Sequence, residues 1–286
     1  MMAPEASHSH YYIPQPSHWP IFGSIALLTM AIGAVMWING VGESGKWVVA
    51  GGFAVLIYMM FGWFGVVVRE SEGDKYNKQV DTSFRWGMSW FIFSEVMFFA
   101  AFFGALFYMR VLSVPWLGDM EHKILWPNFT AEWPVVGPGL DTRFTPVSAW
   151  GIPALNTLIL LSSGATVTWA HWGLKKNNRS QLILGLFLTV ALGATFLGLQ
   201  VYEYAHAYSE LNLKLTSGAY GSTFYMLTGF HGFHVTIGTI MLIVILFRSM
   251  AGHFSAHHHF AFEAVSWYWH FVDVVWLFLF VVVYWL

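Results

Sequence analysis

Seven long apolar runs separated by short polar segments dominate this chain, at about 19–39, 47–68, 84–110, 150–172, 181–202, 220–247 and 260–286. At a rise of about 1.5 Å per residue, helices of this length cross a hydrocarbon layer of about 30 Å. Apolar residues run continuously instead of alternating with polar ones, which predicts helices and not the strands of a membrane barrel. Only residues 40–46 separate the first two runs, so these should form a tight helical hairpin. The pattern predicts an all-α membrane protein with seven transmembrane helices in a single membrane domain over 1–286.

Composition agrees with that pattern. Apolar residues make up 57% of the chain and charged residues 10%, against about a quarter charged in ordinary soluble domains. The net charge of −2 and the absence of a basic block point away from nucleic acid. With no cysteine, disulfides and thiolate ligands are excluded. The 13 Lys and Arg lie outside the runs or at their edges. They are densest in two short loops, Arg69, Lys75, Lys78 and Arg85 in one and Lys175, Lys176 and Arg179 in the other. Counted by the positive-inside rule, this places the N-terminus in the cytoplasm and the C-terminus outside. No positive n-region precedes the first run, so it is expected to remain in the mature protein. The longest connection, 111–149, carries five prolines and three tryptophans. It reads as an ordered, irregular external loop on the headgroup surface, where tryptophan is favoured.

Few polar groups fall inside the runs. Glu95, mid-way along the third, is either a proton- or oxygen-pathway residue or a neutral acid tying helices together. His231 and His234 share a helix face, and structural hydrogen bonding suits them better than a metal site, which needs further ligands. His257, His258 and His259 are consecutive, point in different directions on a helix, and read as an interfacial turn. His270 and Asp273 are spaced to hydrogen-bond to one another or to fix a helix contact. Glu203 and His206, at the external end of the fifth run, read as solvated. No phosphate loop, dinucleotide fingerprint or nucleophile motif occurs. The residues alone favour a helper subunit, a channel or a transporter, with no catalytic residue and no metal site in this chain.

The motifs then resemble a known family. The segment Phe262-Glu263-Ala264-Val265-Ser266-Trp267-Tyr268-Trp269-His270-Phe271-Val272-Asp273-Val274-Val275-Trp276 is similar to the last helix of subunit III of haem–copper cytochrome c oxidases. So are Tyr220-Gly221-Ser222-Thr223-Phe224, Thr228-Gly229-Phe230-His231-Gly232-Phe233-His234 and Phe91-Ile92-Phe93-Ser94-Glu95-Val96-Met97. Leu155-Asn156-Thr157, Thr168-Trp169-Ala170-His171 and His18-Trp19-Pro20 extend the likeness over nearly the whole chain. The resemblance implies a two-helix plus five-helix V-shaped bundle with phospholipid in its cleft. It implies no cofactor on this chain, with haem a-type groups and copper in partner subunits. The partners would be oxidase subunits I and II, with cytochrome c donating electrons through subunit II. The chain would support proton uptake and stability of subunit I, in a bacterial inner membrane with a periplasmic C-terminus.

Carried over by position, Glu95 matches the family's membrane-embedded carboxylate. Trp63, Arg69 and Glu70, with Arg248 and His253, match residues near cleft lipid headgroups. Mitochondrial members read Trp-Trp-Arg-Asp where this chain has Trp63-Phe64-Gly65-Val66. They carry Lys where this chain has Ala251, and histidines that are missing from 71–79. The long 111–149 loop looks bacterial. A transporter would instead show inverted repeats around a midplane site, and quinol-oxidase members often keep only the last five spans, so seven spans favour cytochrome c as donor.

Overall fold

A computed structural model describes residues 12–41, 43–73, 75–140 and 143–286. Seven helices among the described residues are long and apolar enough to cross a membrane. They are α1 (Trp19–Ile38), α2 (Ser44–Glu72), α3 (Lys78–Phe107), α5 (Ile152–Lys175), α6 (Arg179–Ser209), α7 (Gly218–Ala251) and α8 (Phe260–Leu279). The expected seven-span all-α architecture is therefore observed. Most helices overrun their apolar stretch by a turn or so into polar residues, because helix ends need capping groups or water for their unpaired backbone atoms. Asn178 caps α6 by accepting from the backbone N–H of Gln181 at 3.1 Å. Gly252 closes α7 in the left-handed conformation at φ 87°.

The third span departs from the sequence reading. It does not stop at Arg110 but runs on through a π-turn, Tyr108–Ser113, and a short helix α4, Val114–Leu117. Pro115 falls in the first turn of α4, where a missing N–H costs nothing. Arg110 is accommodated because its guanidinium donates to the Leu286 carbonyl at 2.6 Å. The long connection to the fourth span thus begins near Gly118. Its described residues dock on the start of α7: Ala219 N–H donates to Val136 O at 2.8 Å and Tyr220 N–H to Val135 O at 3.1 Å. Phe144 stacks on Tyr220 at 5.3 Å and 6°. Gly218, at φ 74°, lies against Val136, and a Cβ there would strike its carbonyl.

Contacts gather the chain into two compact units, one up to Phe84 and one from Arg85 to Leu286. In the first, α1 and α2 approach through small residues. A Cβ on Gly33 would lie 2.6 Å from Val49 N, one on Gly45 2.6 Å from Trp37 N, and one on Gly52 2.8 Å from Met30 N. Such close backbone approach is how helices associate in lipid, where apolar burial alone gives little. In the second unit the core centres on α8. Trp269 and Trp276 are fully buried, and their indole N–H groups donate to Ser163 Oγ and Thr157 Oγ1 of α5, each at 2.9 Å. Gly193 of α6 and Gly238 of α7 leave the space that the Trp269 ring fills.

Candidate functional site

The polar residues of the spans are placed by helix register, and several of them bond across to a neighbouring helix. His234 is held from its own helix, its Nδ1 lying 2.6 Å from the Phe230 carbonyl. A carbonyl can only accept, so Nδ1 carries the hydrogen. Its Nε2 then faces Glu95 Oε2 of α3 at 2.8 Å. One proton must lie between the two, as Glu–O–H···N or as N–H⁺···carboxylate, and the pair is neutral overall in either form. Phe98 and Phe99 lie over the imidazole at 5.8 and 5.0 Å, and Tyr268 stacks at 6.4 Å. Glu95 keeps partial access, with 21% of its side chain exposed. Tyr225, Met226, Gly229, Phe230 and Phe233 line an open apolar groove along α7.

His231 does not join His234, although the two share a helix face in the sequence. Its Nε2 donates to the Val272 carbonyl of α8 at 3.1 Å, and it is fully buried against Trp276 and Phe196. The hydrogen bond expected between His270 and Asp273 is not formed either. Thr168 Oγ1 donates to Gly164 O at 2.9 Å and accepts from His270 Nε2 at 3.2 Å. Asp273 packs against the bare Cα of Gly164, where a Cβ would lie 2.8 Å from its Oδ2, and its Oδ1 has no hydrogen-bond partner among the described residues. Both side chains reach across to α5, which offers a hydroxyl and a space, instead of to each other.

The reading of Glu203 as solvated is corrected. It is 2% exposed, receives the Tyr284 hydroxyl at 2.7 Å and the Gln200 amide at 3.1 Å, and lies well inside the second unit, while His206 is exposed. Tyr284 lies 81 residues away along the chain, so no local pattern could have announced it. The histidine run also divides, with His257 and His258 exposed but His259 buried beside Glu263 and His171. A histidine followed four residues later by Glu263 on the same helical turn was the available signal.

The proposed headgroup residues fall in both units, and each group stands by itself. In the first, Trp63 is exposed and Arg69 Nε donates to its own helix at Gly65 O, 3.1 Å away. Glu70 is not an open carboxylate, since it accepts the Tyr12 and Tyr76 hydroxyls at 2.9 and 2.8 Å. That bond and burial together hold the Tyr76 phenol well above its ordinary value, burial first. In the second unit, the Arg248 guanidinium lies 4.7 Å over the Phe254 ring at the end of α7, with His253 exposed on the adjoining turn.

With this geometry in hand, comparison with known proteins is specific. The chain matches the family model described as "Cytochrome c oxidase subunit III" over residues 8–286. Cytochrome c oxidase subunit 3 of Chondrus crispus is 42% identical over 276 residues, covering 96% of this chain and 93% of that one. The protein of the same name in Marchantia polymorpha is 43% identical, covering 96% of both chains. That of Latimeria chalumnae is 42% identical with the same coverage.

Proposed function

The chain belongs to the cytochrome c oxidase subunit III family, and from that premise we propose that it works as a non-catalytic, lipid-binding subunit that stabilises the oxygen-reducing subunit I and supports its proton uptake. Membership makes the chain a component of an oxidase complex and of a respiratory chain. The observation that carries the finer reading is how its in-span polar groups are spent. His231, His234 and His270 each engage a different neighbouring helix, at Val272, Glu95 and Thr168. They brace the bundle instead of converging on a single centre. On this reading the redox groups, haem a-type and copper, sit in partner subunits I and II, and cytochrome c delivers electrons through subunit II.

The lipid role rests on chemistry at the helix ends. Arg69 and Arg248 can each clamp a phosphate through paired N–H groups, and Trp63 suits the headgroup layer. The groove lined by Phe230 and Phe233 has the apolar surface an acyl chain needs. The loop charges favour an N-terminus on the cytoplasmic side and a C-terminus on the opposite side, and the long 111–149 connection favours a bacterial inner membrane.

An affinity tag on this chain, with gentle extraction, tests the reading. The purified material should carry haem a-type absorbance and larger partner chains, and recovery without haem would refute an oxidase role. In that complex Glu95→Gln should leave assembly and oxygen reduction largely intact. Arg248→Ala should lower phospholipid occupancy by native mass spectrometry, and unchanged occupancy would remove Arg248 from the headgroup site.

A further inference from the structure

At the end of the second unit where α5 finishes and α8 begins, three groups with metal-ligand chemistry come together. Glu263 Oε1 lies 3.2 Å from His259 Nε2 and 3.6 Å from His171 Nε2. All three atoms fall within 4.8 Å of one another. The other carboxylate oxygen, Oε2, is held by Arg85. Oε1 is thereby left to face the two imidazoles.

The tautomer of His259 makes this arrangement informative. Its Nδ1 lies 3.0 Å from the Ser255 carbonyl and must carry the hydrogen. In the neutral ring Nε2 is then a bare lone pair, and it faces a carboxylate oxygen. The Nε2 atoms of both His171 and His259 are buried without a hydrogen-bond partner among the described residues. Lone pairs opposed at this distance repel unless positive charge lies between them. A tetrahedral ion with bonds of about 2.0–2.1 Å holds its ligand atoms about 3.3 Å apart, and the observed separations of 3.2 and 3.6 Å bracket that value. Ligands are also steadied from behind, by the Ser255 carbonyl on His259 and by Arg85 on Glu263, as metal-bound imidazoles and carboxylates usually are.

We propose that His171, His259 and Glu263 form a site for a divalent transition-metal ion of the zinc type, with a fourth position open to water. This goes beyond the sequence reading, which expected no metal site. Two imidazoles and one carboxylate oxygen favour such an ion over magnesium or calcium, which prefer all-oxygen shells. Lys175 follows one turn after His171 and is exposed, so its repulsion is screened by solvent.

The test uses the intact complex purified through this chain, stripped with EDTA and titrated with Zn²⁺ or Co²⁺. Wild type should bind one more equivalent per complex than His171→Asn or His259→Asn. Cobalt in that extra equivalent should give the strong visible bands of four-coordinate Co²⁺. Either variant should weaken that equivalent at least tenfold, whereas His257→Asn with His258→Asn should not, and excess Mg²⁺ or Ca²⁺ should not displace it. Since Glu263→Gln also releases Arg85, His171→Asn is the deciding variant, with equal melting temperatures in EDTA showing that its fold is intact. Equal zinc binding by wild type and His171→Asn would overturn the proposal. So would a wild type that takes up no extra equivalent, because a proton would then be the charge between His259 and Glu263.

Discussion

The hairpin of α1 and α2 and the packed helices α5 to α8 solve the same problem by opposite means. In α2, 11% of the most apolar stretch is buried, against 56% in α8. The hairpin contact is made by Ala26, Gly33, Gly45, Gly52 and Met59, so it is narrow and close, and most remaining side chains face outward. Around α8 the contact is wide, with two buried tryptophans and a hydroxyl on α5 for each indole N–H. Lipid tails are as apolar as leucine, so helices there gain from packing and hydrogen bonds and not from hiding apolar surface. The second region therefore carries its own cohesion. The first presents apolar surface that lipid or a neighbouring chain must cover.

Several substitutions would break or sharpen this contrast. Trp269→Ala should have the largest effect, about 3–5 kcal/mol by analogy with large buried aromatics. It empties the space between Gly193 and Gly238 and removes the indole N–H from Ser163 Oγ, which keeps only its own bond to the Leu160 carbonyl. A melt followed by intrinsic fluorescence should show the loss, and a drop of only a degree or two would mean that α8 is not the centre of cohesion. Gly33→Val should cost about 1–3 kcal/mol of overpacking and act only on the hairpin. Since the chain has no native cysteine, cysteines introduced into α1 and α2 report this cleanly. Their crosslinking should fall while protease resistance of α5–α8 stays unchanged, and a joint loss of both would erase the distinction between the two regions.

A smaller effect is expected at the latch between α3 and α7. Glu95→Leu leaves His234 Nε2 without its hydrogen-bond partner, at about 1–2 kcal/mol for an unsatisfied buried group, while Glu95→Gln should recover most of that in the same melt. Equal melting temperatures for the two would mean that the pair contributes no cohesion. The smallest effect should come from the loop. Asp119 accepts from His122 at 2.7 Å, which holds its carboxyl below the ordinary value. A depressed carboxylate adds stability above its unfolded value and loses it as the pH falls through the folded one. Loop protection in hydrogen exchange should therefore hold down to a pH of about 4, the ordinary carboxylate range, and drop only below it, and Asp119→Asn should flatten that dependence.

Much of this was written locally. The spans could be read because membrane thickness sets the length of apolar runs. The residue types of the in-span polar groups were visible at once. Their partners were not. His231 and His234 share a helix face, yet one bonds to α8 and the other to α3. In the sequence the third span reads as ending at Arg110, because a cation usually marks a membrane edge, while here its guanidinium donates to the Leu286 carbonyl.

The sequence by itself determined that the chain crosses a membrane as seven helices, because hydropathy and backbone hydrogen bonding act residue by residue along the chain. Only the tertiary structure decided that Glu203 is buried beneath Tyr284, that His259 leaves the exposed histidine run, and that it meets His171 and Glu263. Those outcomes depend on which helices adjoin and at what rotation, and that is set by the fit of side chains distant in sequence, which no local pattern records.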